Sequence, residues 1–408
     1  MIRDVAVTGI GLVTPAGVGA DATWRGVCSG RSFAVAGDPV LAGLPVDFSC
    51  RVGDFDADDH LPRRTARRTD TFIHFALAAA QEATVDAGLT PGAAEPTRIG
   101  VVLGVGSNSL LEYGRVLRHL RNAEHHLVSP FALPRSVPSM AAGEVAAHLD
   151  CRGPNFTVSS ACSSGGQAIG IARDLIRSGT CDVVLAGGAE SGRSPLSAIS
   201  FARLGALSTR GHDPAGASRP FDRDRDGLVL SEGAAVLVLE RPGHARARGA
   251  ALHGVVAGYG ASADAYHPVH PHPDGRGLGQ AIGTALADAR MTPADIDHVT
   301  AHATSTPAGD LAEARALTQV FDAAPPPVTA LKSSLGHAMG AASAIQVACA
   351  LLALRHQAIP PTVNLDHQDD AVGLDVVREV PRPARLRTVL SPAYGFGGAN
   401  TALVLRVP

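Results

Sequence analysis

Lysine is nearly missing from this 408-residue chain: of 35 basic residues, Lys332 alone is a lysine. A composition rich in Arg, Ala and Gly, of the kind a GC-rich genome produces, accounts for the lost lysines but not for the one retained. Arg is a planar fork, whereas Lys is a compact point charge with three donors, so Lys332 marks a tight polar site that a guanidinium would not fit. Aromatics make up 4% of the chain and charged residues 18%, against 45% hydrophobic, which excludes disorder as the global state. A formal net charge of −3 supplies no basic field for nucleic acid or anionic lipid. The six cysteines (Cys28, Cys50, Cys151, Cys162, Cys181, Cys349) are scattered without close pairing, so no disulfide framework or zinc ribbon is encoded. No apolar run reaches the ~18–20 residues of a membrane span, and the start at Met1-Ile2-Arg3-Asp4 lacks the features of a signal peptide. The expectation is a cytoplasmic enzyme of a reducing compartment, with no nucleic-acid or membrane partner.

Apolar, β-branched runs alternate with small-residue helical stretches along the whole chain. Segments 5–10, 98–104, 182–188 and 234–240 read as strands, and 73–88 and 164–179 as helices, the second stopped by Gly179. Nearly continuous apolar strands imply sheets covered on both faces, hence a layered α/β protein. There is also a weak internal duplication. EGAAVLVLERP (232–242) matches GANTALVLRVP (398–408), and TVSSACSSGGQAIG (157–170) parallels LKSSLGHAMGAASA (331–344). The repeat predicts two related halves, 1–250 and 251–408, each presenting a reactive group, Cys162 or His337, at an equivalent helix start.

Four segments carry candidate chemistry. VSSACSSGGQAIG (158–170) crowds small residues around Cys162 at a strand-to-helix junction. A thiol at a helix N-terminus feels the partial positive charge of free N–H groups, and its pKa can fall to ~3.5–7.5. The other five cysteines read as small buried hydrophobes. AHATSTPAGDLAE (301–313) places His302 beside hydroxyls, with Asp310 and Glu313 following on a helix. LKSSLGHAMGAA (331–342) carries Lys332 and His337. YGFGGANTALVL (394–405) is a glycine turn from which Phe396 projects.

Together these segments resemble the elongating β-ketoacyl-acyl-carrier-protein synthases of the thiolase superfamily, over essentially the whole chain. The resemblance runs from VAVTGIGLVTPAG through RGPNFTVSSACSSG, SRPFDRDRDGLVLSEGAAVLVLE and HATSTPAGDLAEARAL to LKSSLGHAMGAASA and YGFGGANTALVL. It is closest to types that use Cys-His-His; initiating synthases pair Cys with His and Asn, and thiolases need a second cysteine that is lacking after Cys349. The resemblance implies a thiolase-like α/β fold, two duplicated halves forming five αβαβα layers. It makes Cys162 the nucleophile that accepts an acyl chain, and His302 and His337 the groups holding a malonyl thioester carbonyl. Lys332, Glu313 and Asp310 would form a supporting polar network, with Thr304 and Thr306 beside it and Phe396 as gate. The N–H groups of Cys162 and Phe396 would form an oxyanion hole, whose single donors are each worth about 2.7–4 kcal/mol of barrier. An acyl carrier protein is the implied partner, in a homodimer or a heterodimer with a chain-length-factor-like subunit. No metal or bound organic cofactor is implied, the substrates riding on the carrier's phosphopantetheine arm.

Some positions depart from the family pattern. His302-Ala303-Thr304 stands for His-Gly-Thr, and Ser391-Pro392-Ala393-Tyr394 replaces the usual Asn-Ser-Phe. Ser107 falls where a bulky aliphatic residue commonly forms the acyl-pocket wall. Gly9-Ile10-Gly11 is an incomplete dinucleotide fingerprint, because its third glycine position is Thr14. HPVHPHP (267–273) lacks a completing carboxylate or cysteine for a metal set and reads as a loop near a site entrance. RPFDRDRDG (219–227) reads as a solvated or self-paired loop in which Asp222 and Asp226 stabilise a turn. A cysteine thioesterase or acyl hydrolase is a competing reading, although it would leave the second histidine without a role. A non-catalytic partner subunit is another, and the presence of Cys162 argues against it.

Overall fold

The computed structural model describes residues 4–408 apart from 54, 91, 108 and 323. Val5–Thr14 (β1) is buried along its whole length, as a strand covered on both faces must be. It runs on past residue 10, and Gly9 and Gly11 admit a close neighbour on one face. A Cβ on Gly11 would lie 1.9 Å from the carbonyl oxygen of Ala79, and one on Gly9 2.0 Å from that of Ala83. Both belong to helix α1 (Thr71–Asp86), so the two glycines let a helix sit directly on the strand rather than cradle a phosphate.

Ile99–Gly104 (β2), Asn155–Val158 (β3), Val183–Ser191 (β4) and Glu232–Glu240 (β5) complete the first set of strands. They lie in the order β3-β2-β4-β5-β1, with β2 parallel to β3 and β4, and β5 antiparallel to β4 and β1. Gly254–Ala263 (β6), His298–Thr300 (β7), Val328–Thr329 (β8), Thr388–Gly395 (β9) and Ala399–Arg406 (β10) form the second set. Their order is β8-β7-β9-β10-β6, with β7 parallel to β8 and β9, and β10 antiparallel to β9 and β6. Order and direction are therefore the same in both sets. A short pairing of Val5–Val7 with Gly254–Val256 joins them.

Two helices fill the space between the sheets. Ser164–Arg177 (α2) follows β3 and ends where Gly179 takes a φ of 77°. Met339–His356 (α4) follows β8 at the equivalent position. Both touch strands of both sets, while α1 covers the outer face of the first sheet and Arg276–Ala289 (α3) that of the second. These are the five layers of a thiolase-like fold.

Helix α4 corrects the reading that no membrane-length segment exists. By length and composition it is apolar enough to cross a membrane, but 89% of it is buried in the protein core, which explains why it is apolar all round. The loop at 219–227 is self-paired, Arg219 meeting Asp222 at 3.1 Å, and only Arg223 and Asp224 of it are exposed. Arg219, Phe221, Asp222 and Arg225 are buried, and Asp222 accepts hydrogen bonds from the N–H groups of Asp224, Asp366 and His367. Asp226 accepts from the Ser208 hydroxyl at 2.6 Å.

Candidate active site

The chain turns sharply before Cys162. Ala161 holds a left-handed φ of 52°, the Ser164 hydroxyl accepts from the N–H of Ser160, and α2 begins at Ser164. The glycine turn after β9 packs against this corner. A Cβ on Gly395 would lie 2.8 Å from the Cys162 nitrogen, so only glycine brings Phe396 this close to the thiol. Phe396 stacks obliquely on Phe201, with ring centroids 5.7 Å apart.

His337 enters from the corresponding start of α4. Its backbone is pinned by two hydrogen bonds, from its own N–H to Val229 and from the N–H of Ser231 to its carbonyl. Nε2 lies 3.0 Å from the Cys162 sulfur, and Nδ1 is buried with no partner among the described residues. His302 follows β7. Its peptide is held from both ends: its N–H donates to Glu313 at 2.7 Å, and its carbonyl accepts from Lys332. Lys332 Nζ also lies 3.4 Å from His302 Nδ1, which leaves Nε2–H as the donor of a neutral ring facing inward. Ligand atoms of Cys162, His302 and His337 all lie within 4.8 Å of one another.

Lys332 and Glu313 thus meet at the His302 peptide. Lys332 donates also to Gln346, a polar residue of α4 that in turn donates to the carbonyls of Thr300 and Pro392. Asp310 accepts from the N–H groups of Ser305 and Phe221. Ser305 has a φ of 68°, and this anchored bend turns Thr304 and Thr306 toward the cavity, their hydroxyls 2.9 Å apart.

The electrostatics differ from the sequence expectation at the thiol. Burial pushes Cys162 up to about 12, with Lys332 pulling down and Glu190 pushing up. The gain from a helix start is outweighed by desolvation, a tertiary effect. Burial, then the Lys332 cation, holds both imidazoles well below 6.5, so they are neutral. Burial also lowers Lys332 to about 8, against the pull of Glu313, and raises Glu313 to about 7 and Asp310 to about 6.

A cavity of about 220 Å³ is lined by Cys162, His302, His337, Thr304, Thr306 and Phe396, with Val269, His270 and Pro271 of the HPVHPHP loop also on its wall. Ser107 is not on that wall. Its N–H and hydroxyl donate to the buried Glu190 carboxylate, which also takes the N–H of Gly106 at 2.7 Å. Three features escaped the sequence reading. Gln346 was detectable as a lone amide in an apolar helix, Tyr394 as a polar ring on the cavity wall, and Arg63, Arg64, Arg67 and Arg68 as the basic run 63–68. With Arg135 these arginines line one surface pocket, a local basic field that the net charge conceals.

The sequence matches the family models described as beta-ketoacyl synthase N-terminal domain, over residues 2–245, and C-terminal domain, over 253–366. It is 40% identical to 3-oxoacyl-[acyl-carrier-protein] synthase 2 of Rhizobium meliloti, over 99% of each chain. It is 41% identical to a putative polyketide beta-ketoacyl synthase 1 of Streptomyces cyaneus, over 100% of this chain and 99% of the relative. Among solved structures, the ishigamide ketosynthase/chain length factor superimposes with a TM-score of 0.94 at 34% identity, covering 100% of both chains. A type II polyketide acyl-carrier protein in complex with its ketosynthase gives 0.92 at 31%, again over 100% of both. With a half-buried thiol facing two neutral imidazoles inside this fold, the chain belongs to the beta-ketoacyl synthase family of condensing acyltransferases.

Proposed function

We propose that the chain extends an acyl group held on Cys162 by decarboxylative condensation with a malonyl unit, both delivered on an acyl carrier protein. The observation that carries this reading is the convergence of the Cys162 sulfur and the two imidazoles in one cavity. As the sulfur attacks the incoming thioester, its proton passes to His337 Nε2, 3.0 Å away, and then to the departing arm thiol. The tetrahedral oxyanion is held by the N–H groups of Cys162 and Phe396. The malonyl thioester carbonyl next takes the Nε2–H of His302 and, once the neutral His337 ring has exchanged its proton from Nδ1 to Nε2, the Nε2–H of His337. Its C–C bond to the carboxylate breaks, CO₂ leaves, and the electron pair becomes an enolate stabilised by those donors. The enolate carbon attacks the acyl-Cys162 carbonyl, the C–S bond breaks, and the thiolate recovers a proton. A buried Lys332 cation beside the imidazoles would repel a dication, which favours a substrate carbonyl over a metal ion at this triad and supports a reaction without a resident cofactor.

The arginine run 63–68 fits an acidic carrier protein. The free state of all six cysteines supports a reducing compartment such as the cytoplasm, and the repeated strand order supports a division near residue 250. A second reading, the catalytic subunit of a heterodimeric polyketide synthase, is favoured by the TM-score of 0.94 to the ishigamide ketosynthase/chain length factor; the half-exposed edge strand β3, with Phe156 37% exposed, offers a site for a partner strand of either kind. Intact-protein mass spectrometry after incubation with acyl-carrier thioesters tests the proposal: Cys162 should gain the acyl mass. Cys162→Ala should gain none, and Cys162→Gln should release CO₂ from malonyl carrier without forming a C–C bond. Full condensation by either variant would refute the scheme, and copurification of a second chain would select the heterodimer.

A further inference from the structure

Tyr394 is the residue before Gly395 at the end of β9. Its ring lies 4.3 Å from the His302 imidazole, centroid to centroid, tilted by 51°. Its hydroxyl oxygen is buried and has no hydrogen-bond partner among the described residues. Phenylalanine would fill the same volume against His302 without that oxygen. A buried hydroxyl left unpaired costs about 1–3 kcal/mol, and few such groups survive in native proteins. The residue belongs to the wall of the cavity that holds Cys162 and His302, together with Thr304, Thr306 and Gly309. A Cβ on Gly309 would stand 3.0 Å from the Tyr394 oxygen, 2.4 Å from that of Thr306 and 3.5 Å from that of Thr304, so only glycine lets the three hydroxyls converge there. Burial, reinforced by the carboxylates of Glu313 and Asp310, holds the phenol well above 10, so it is a neutral donor.

The extender unit has a group to meet it. In the condensation reading, on which this inference rests, the malonyl thioester carbonyl sits at the imidazoles and the free carboxylate lies two bonds beyond it. We infer that the Tyr394 hydroxyl donates a hydrogen bond to that carboxylate, making Tyr394 the residue that distinguishes a malonyl extender from a simple acyl thioester. When the C–C bond breaks, negative charge moves from the carboxylate to the enolate oxygen, away from Tyr394 and toward the histidines. The contact is strongest in the bound ground state and fades as CO₂ forms, so its loss raises KM and does not slow the chemical step.

Tyr394→Phe keeps the ring against His302 and removes only the oxygen. In the full-length protein, KM for malonyl carrier should rise about tenfold, the equivalent of about 1.4 kcal/mol, while kcat does not fall and acyl loading of Cys162 is unchanged. A binding measurement with malonyl- and acetyl-pantetheine amides, whose nitrogen replaces the thioester sulfur, isolates the contact. The wild type should prefer the malonyl amide, and Tyr394→Phe should lose that preference. An unchanged KM, a retained preference, or loading slowed as much as extension would overturn the role of Tyr394. A wild-type protein that neither loads Cys162 nor releases CO₂ would instead overturn the condensation reading itself.

Discussion

At Cys162 burial and the nearby Lys332 cation pull in opposite directions, and burial prevails: the thiol of the free protein stands at about 12. The His337 ring at 3.0 Å is neutral, so thiol and imidazole coexist uncharged until a substrate arrives. Proton transfer must then accompany attack, which protects the nucleophile from stray electrophiles. Alkylation of Cys162 by iodoacetamide should therefore accelerate by about tenfold per pH unit to about pH 10 without a plateau, as followed by mass spectrometry. A plateau between about pH 6 and 8 would mean a preformed thiolate–imidazolium pair. On the acid side, both histidines act in their neutral forms, and burial has lowered their pKa values. Imidazole protonation should therefore cause no decline in extension at 6.5, the ordinary histidine value, and Glu313→Gln, which removes the carboxyl raised to about 7, should leave no step in the pH profile between 6 and 7. The positions of Cys162, His302 and His337 were legible because each sits in a small-residue junction next to a strand or helix start. The thiol's titration was not, because desolvation comes from elements far away in sequence.

Elements meet here through surfaces with almost no side chain between them. Helix α1 rests on β1 at Gly9 and Gly11, and Glu82 of that helix accepts from the N–H groups of Leu12 and Ala20 at 2.8 and 2.7 Å. Gly11→Ala would drive a methyl into the Ala79 carbonyl and should cost about 1–3 kcal/mol through overpacking. Urea denaturation would read the loss as a lower midpoint with unchanged slope. An unaltered midpoint would show that the helix slides without penalty. The pattern Gly-Ile-Gly after a strand was visible in the sequence, but its purpose was not: close packing and phosphate binding use the same residues, and only the helix overhead separates them.

Across the whole molecule, the two sets of strands are bound by buried charge as well as by apolar contact. Arg173 of α2 is 1% exposed and donates to the carbonyls of Val256 and Ala257 on β6, while its guanidinium lies 2.7 Å from Asp288 of α3. Arg173→Ala would leave those carbonyls unpaired and Asp288 without its partner. Because Asp288 retains some solvent contact, the cost should lie near the lower end for a broken buried pair, about 3 kcal/mol, seen by calorimetry as a lower Tm. A second test concerns the surface. Arg64 and Arg67 border the basic pocket, and neither side chain has an ion pair among the described residues. Reversing both to Glu should raise KM for a carrier-bound acyl group while leaving an acyl-pantetheine substrate unaffected, and the wild-type KM should rise with salt. Equal effects on both substrates would exclude this face as the carrier's docking site.

By itself the sequence determined the layered α/β class, the repeat and the order Cys, His, Lys, His. Each is written in local signals: continuous apolar strands, glycine stops and small residues at helix starts. Tertiary structure alone decided the rest. It made α4 a core helix and bonded Ser107 to Glu190. It also brought Gln346 to Lys332, and it left the Tyr394 hydroxyl buried without a partner among the described residues, its ring against His302. The physical reason is the same each time: burial, desolvation and the meeting of side chains from separate elements depend on how both sheets close around α2 and α4, and no window of the chain contains that closure.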